Sequence, residues 1–331
     1  MARPSASRVV ALLAGASVLG CELTEVVITA AEDVIIAETF VVLDLEEAGE
    51  DPTLDAYAYL HRTFDYSRDP RVDGATVRVT GASGTDVLLM EQDSATKCID
   101  WGLFDLTPEG DTIVVEPIHA GTCYRARVAP SPFAPGELLE LEVVAADGRV
   151  LTSSSRVPGP LAFEGVTGED GVCRLQPDTN LNLRWAPVAD AWAYLANARI
   201  NGLADALSAR DIESPDSLDL LGLAIGREDT EIVFPRDFTL FSIFTEDDDA
   251  DAIRELQGGM PEGTRASVSI VATDRNWTNW VRGGNFNPSG EIRIPSVFGD
   301  GTGAFATATQ RRLAVVAEAG SAGHPPLCGG G

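Results

Sequence analysis

The stretch ELLELEVVAADGRVLTSSSRV, residues 137–157, constrains the fold of this chain more than any other. Leu139, Leu141 and Val143 alternate with Glu140 and Glu142, the period of a strand with one dry face and one wet face. Asp147-Gly148 then supplies two residues that tolerate positive φ, so the chain can double back as a tight hairpin. The same signals recur upstream. GATVRVTGASGTDVLLM, residues 74–90, places Val77 and Val79 on one face with a turn from Gly81 to Gly84, which makes Ser83 a turn residue. EVVITAAEDVIIAETFVVLDL, residues 25–45, is rich in Val, Ile and Thr. Seven or so short strands before Val157 fit an immunoglobulin-like sandwich.

PGPLAFEGVTGEDG, residues 158–171, is rich in Pro and Gly and reads as a linker. Alternation resumes in TNLNLRWAPVADAWAYLANARI, where Leu181, Leu183 and Trp185 share one face and Tyr194, Ala196 and Ala198 the next. That arrangement resembles two strands of a fibronectin type III sandwich and makes Trp185 and Tyr194 core residues. From 201 to 262 the pattern departs from a sandwich. GLADALSARDI and DSLDLLGLAI read as short helical or loop-like patches, and TEDDDADAIRELQGG reads as a helix with Ile253 and Leu256 on one side and Gly258-Gly259 at its end. Strands return at TRASVSIVATD, GEIRIPSVF and GAFATATQRRLAVVAEA. The expected fold class is mainly β: two β-sandwich domains, immunoglobulin-like or fibronectin III-like, at 35–157 and 172–318. The second carries a partly helical insertion at 201–262, and a tail follows at 319–331.

The N-terminus carries an address. Arg3 and Arg8 precede an apolar run from Val9 to Leu19, the layout of an export signal and too short for the roughly 20 residues of a membrane span. Val18-Leu19-Gly20-Cys21 resembles a bacterial lipobox, which implies a signal at 1–20, lipidation of Cys21 and a tether at 21–34; the alternative is a signal without lipid. Glu22, where an Asp would signal inner-membrane retention, favours the outer membrane.

Four cysteines remain, Cys98, Cys123, Cys173 and Cys328, and an oxidising envelope favours two disulfides among three pairings. Proximity favours Cys98 with Cys123, leaving Cys173 for Cys328. Zinc is disfavoured because there is no CxxC and only three histidines, His61, His119 and His324. The formal net charge of −27 makes nucleic acid an unsuitable partner.

Catalytic signatures are missing: no HExxH, Walker loop, dinucleotide fingerprint or GxSxG. Glu246, Asp247, Asp248, Asp249 and Asp251 are dense enough in oxygen for Ca²⁺, although helix capping explains them as well. No cofactor other than the lipid and this calcium candidate is expected. DRNWTNWVRGGNFNPSG, residues 274–290, offers a binding surface: Trp277 and Trp280 lie three apart, with Arg275, Arg282 and Asn285 around them. The bland reading puts one Trp in the core.

The same region, with Asn287-Pro288 and Gly301-Thr302-Gly303-Ala304-Phe305, resembles the end of domain-of-unknown-function family 4249, uncharacterised lipoproteins of the Gram-negative envelope. VDGATVRVT, ELEVVAADGRVLTSSSRVP and GREDTEIVFP extend the resemblance, with Trp277 and Trp280 in place of the family's tyrosines. It implies a periplasmic or surface lipoprotein associated with outer-membrane uptake systems and no catalytic residue. The expected function is non-enzymatic: a membrane-tethered protein that binds a partner protein or glycan. A divergent hydrolase with a carboxylate site and a passive spacer are the alternatives.

Overall fold

A computed structural model describes residues 32–45, 52–63, 69–98, 121–165, 172–224, 226–241, 249–282 and 294–320. The protein is mainly β. Its first part contributes β1 (Ile35–Leu45), β2 (Thr53–Arg62), β3 (Thr76–Gly81), β4 (Asp86–Glu91), β5 (Thr122–Val128), β6 (Leu138–Val144) and β7 (Val150–Arg156). Then come β8 (Phe163–Glu164), β9 (Val172–Leu175), β10 (Leu181–Trp185), β11 (Ala193–Asn201), α1 (Leu203–Ser208), β12 (Ser217–Ala224) and β13 (Glu231–Phe234). The chain ends with α2 (Asp249–Leu256), β14 (Arg265–Thr273), α3 (Arg275–Arg282), β15 (Phe298–Gly299) and β16 (Gly301–Ala317). Among the described residues no helix is long and apolar enough to cross a membrane.

Thirteen strands form one mixed sheet in the order β12-β11-β14-β16-β1-β2-β5-β4-β3-β6-β7-β15, with β9 attached to β16; β13-β10-β8 form a second sheet. Alternation explains the strands locally. Leu139, Leu141 and Val143 of β6 and Val77 and Val79 of β3 are buried, while Glu140 and Glu142 face water. The β6–β7 turn uses Gly148 at φ 89°, a conformation that strongly favours glycine. β4 joins two ladders: Leu88 and Leu89 pair with β3, and Met90 and Glu91 pair with β5. As a result Leu54 and Leu60 of β2 share a core with Val79, Leu141 and Leu151.

A second core gathers Leu183, Trp185, Tyr194, Phe234, Phe238, Leu256 and Ile270. Trp185 and Tyr194 meet edge to face at 5.2 Å, and the Tyr194 hydroxyl accepts from Val188 N at 2.9 Å. β16 serves both cores, Phe305 the first and Leu313 and Val315 the second. It lies parallel to β1 over the register Ile35↔Gly301 to Leu45↔Arg311. Gly303 makes this approach possible: its φ is +141°, and a Cβ there would fall 2.0 Å from the Ala37 carbonyl oxygen.

Two local readings change. DSLDLLGLAI, expected as a helical or loop-like patch, contains strand β12, paired with β11. Leu218 and Leu220 point inward and Asp219 outward to Arg199 at 2.7 Å; the Leu220-Leu221 pair hides that alternation in the sequence. Residues 158–165 of the expected linker are packed: Gly159 N donates to Ala189 O, Leu161 enters the second core, and β8 pairs with β10. Proline and glycine here turn a chain that stays inside the structure. Residues 166–171 lie outside the described residues.

Candidate functional site

α3 is held from beneath by Asp274, which is only 5% exposed. Its Oδ1 accepts from Trp277 N at 2.8 Å, capping the helix, and its Oδ2 accepts from the Ser155 hydroxyl of β7. Asp274 N donates to Thr307 O of β16, and Asn276 Nδ2 donates to Phe305 O. Removal from water pushes the Asp274 carboxyl up to about 6, against the opposing pull of Ser155 and the backbone N–H groups. The helix is thereby riveted to both β7 and β16.

This anchoring decides where the expected binding residues go. Trp277 packs edge-on against Phe40 of β1, centroids 4.9 Å apart, and is half-buried, as is Trp280. Neither fills the core and neither lines the groove described next. Arg275 does line the groove. The Arg282 side chain and Asn285 lie outside the described residues.

The groove, about 810 Å³, runs between the outer face of β3-β6-β7 and α3. Its floor consists of cross-strand rows set by register: Arg78 opposite Glu142 opposite Thr152, and Thr80 opposite Glu140 opposite Ser154. These are the wet positions of strands whose other face is core. Arg275, Asn276 and Asn279 form one wall, and Ile294 and Phe298 form an apolar rim, 60% and 59% exposed. Ser296 Oγ accepts from Phe305 N at 2.9 Å and holds that rim to β16.

Beside the groove stands Trp192, in the turn before β11 and 38% exposed. Its backbone N donates to Thr273 O at 2.8 Å. Two guanidiniums lie over its ring, Arg275 with Cζ 5.0 Å from the centroid and Arg227 at 5.3 Å. Sequence reading missed this cluster because its members are distant in the chain; the one local signal is a Trp in a turn two residues before the core Tyr194.

Of the calcium candidates, Glu246, Asp247 and Asp248 lie outside the described residues, as does the Asp249 side chain. Asp251 pairs with Arg254 one turn along α2. No group of three or more potential ligands occurs among the described residues. Cys98 and Cys123 form a disulfide with Cα atoms 5.5 Å apart. Cys173 is disulfide-bonded as well, and its expected partner Cys328, like Cys21, lies outside the described residues.

No family model matches this chain, and no curated protein is similar to it in sequence. Among solved structures it is similar to a DUF4785 family protein from Legionella pneumophila, 11% identical, over 71% of this chain and 51% of that one, with a TM-score of 0.20. The chain thus spans about half the length of that protein. The yeast delta-COP-I mu-homology domain is 10% identical over 87% of this chain and 98% of that domain, with a TM-score of 0.18. Neither similarity carries an argument about function.

Proposed function

We propose that this chain is a non-enzymatic, lipid-anchored protein of the bacterial envelope that binds a glycan in the groove between β3-β6-β7 and α3. In this reading the two cores are two sandwiches, immunoglobulin-like and fibronectin III-like, and Cys21 tethers them to the outer membrane, where the protein serves an uptake system. The observation that carries the glycan is the groove lining. Hydroxyls of Thr80, Thr152 and Ser154, amides of Asn276 and Asn279 and the charged heads of Arg78 and Glu142 converge beside apolar Ile294 and Phe298. Sugar rings present that same alternation of hydroxyl edges and apolar faces, and the volume suits a small oligosaccharide.

An array of oligosaccharides probed with the full chain tests this. Binding that falls about tenfold in Asn279→Ala and Glu142→Gln, each loss corresponding to one or two hydrogen bonds, supports it. Binding to no glycan, or binding that both substitutions leave untouched, overturns it. A second reading, hydrolysis of the bound glycan, draws on Glu140 and Glu142, two carboxylates two residues apart on the groove floor. Release of reducing ends, abolished by Glu140→Gln, would replace the first reading with this one.

A further inference from the structure

We infer that Trp192, Arg227 and Arg275 form the subsite that takes an acidic substituent of the glycan, a carboxylate or a sulfate ester. The inference rests on the glycan reading of the groove, and Arg275 ties the two together, since it both lines the groove and lies over the Trp192 ring.

The first ground is the state of the two guanidiniums. Fifty-one acidic residues face 24 basic ones in this chain, and most described arginines are paired with a carboxylate, as Arg149 is with Asp147 and Arg199 with Asp219. Among the described residues Arg227 and Arg275 have no carboxylate partner. Their near neighbours in sequence are turned elsewhere: Asp229 accepts from Gly226 N at 2.7 Å, and Asp274 is buried on Trp277 N and Ser155.

The second ground is geometry. A guanidinium held over an indole ring by the cation–π attraction satisfies none of its N–H groups there and keeps them for an oxyanion, which it can hold with two parallel hydrogen bonds. Trp192 pre-orders both side chains, so less rotamer entropy is lost on binding. The third ground is polarity along the groove. Glu140 and Glu142 outnumber Arg78 on the floor and repel an acid there, whereas Arg275 and Arg227 at Trp192 attract it, so the floor and the Trp192 cluster select different parts of one ligand. An acidic sugar therefore binds in one orientation, its charge at Trp192 and its neutral rings over the Ser and Thr rows.

The test compares three probes on the full chain by calorimetry: a galacturonic acid tetramer, a sulfated galactose tetramer and the neutral galactose tetramer. Both acidic probes, or one of them, should bind at least about tenfold more tightly than the neutral one at low salt, and the margin should shrink as salt rises. Which acidic probe wins separates carboxylate from sulfate. Arg227→Gln, at a residue outside the groove wall, should erase the margin and leave neutral binding unchanged, and Trp192→Ala should erase the margin by releasing both guanidiniums. Equal binding of all three probes, or a margin that survives Arg227→Gln, overturns the subsite while leaving the groove intact. Binding of none of them removes the groove reading and the subsite with it. Circular dichroism of each variant separates loss of binding from loss of fold.

Discussion

Replacing Asp274 with Asn should remove one pH-dependent contribution to stability. The carboxyl sits at about 6 in the folded protein, against 3.8 for the free group, because burial disfavours its charge. Well below 3.8 it is protonated in both states, and the folded protein keeps the full benefit of a neutral buried acid. Between those two values the folded state holds the proton more tightly than the unfolded chain, so stability falls as pH rises, and above about 6 the loss is complete. Two units at 1.36 kcal/mol each amount to about 3 kcal/mol. An asparagine carries no charge at any pH, its Oδ1 can still accept from Trp277 N, and its amide can donate to the Ser155 hydroxyl. The stability of Asp274→Asn relative to the parent should therefore rise by about 2.5 kcal/mol between pH 4 and pH 7.5. Urea unfolding followed by tryptophan fluorescence at four pH values measures this, and the difference between the two proteins cancels every other titrating group that behaves alike in both. A difference that stays constant with pH, or slopes the other way, would refute desolvation as the dominant influence on this carboxyl.

Gly303→Ala should destabilise by at least about 3 kcal/mol, from positive φ together with a clash against the Ala37 carbonyl. Gly84→Ala, at φ +81° with open space around it, should cost only about 1 kcal/mol, and thermal melts of the two separate backbone strain from steric overlap. Cys98→Ser with Cys123→Ser frees a loop with a sequence separation of 25 and should lower stability by about 3 kcal/mol in urea titrations. Trp277→Ala loses the edge contact with Phe40 and should cost about 2 kcal/mol by the same titration, with glycan binding below the melting transition unchanged. A loss of binding without a loss of stability would restore Trp277 as a ligand contact.

Local chemistry was written in the sequence. Strict alternation marks β3 and β6, Asp147-Gly148 marks the turn between β6 and β7, and the apolar spacing ahead of Gly258-Gly259 marks α2. Each depends only on the two periods of the backbone and on residues that accept unusual φ, so neighbours along the chain suffice to specify it. The nearest cysteines, Cys98 and Cys123, likewise pair because a short loop is cheap to close. What tertiary structure alone decided is which edges and faces meet. β1 and β16, some 266 residues apart at the Ile35↔Gly301 register pair, lie parallel because Gly303 lets the backbones touch, and this seam carries Phe305 into the first core and Val315 into the second. The same seam sets α3 over β7, turning Trp277 onto Phe40 and bringing Arg275 to Trp192 and Arg227. Periodicity assigns each of these side chains to a face, but it carries no information about the distant segment that will cover that face; only the packed sheet supplies the partner.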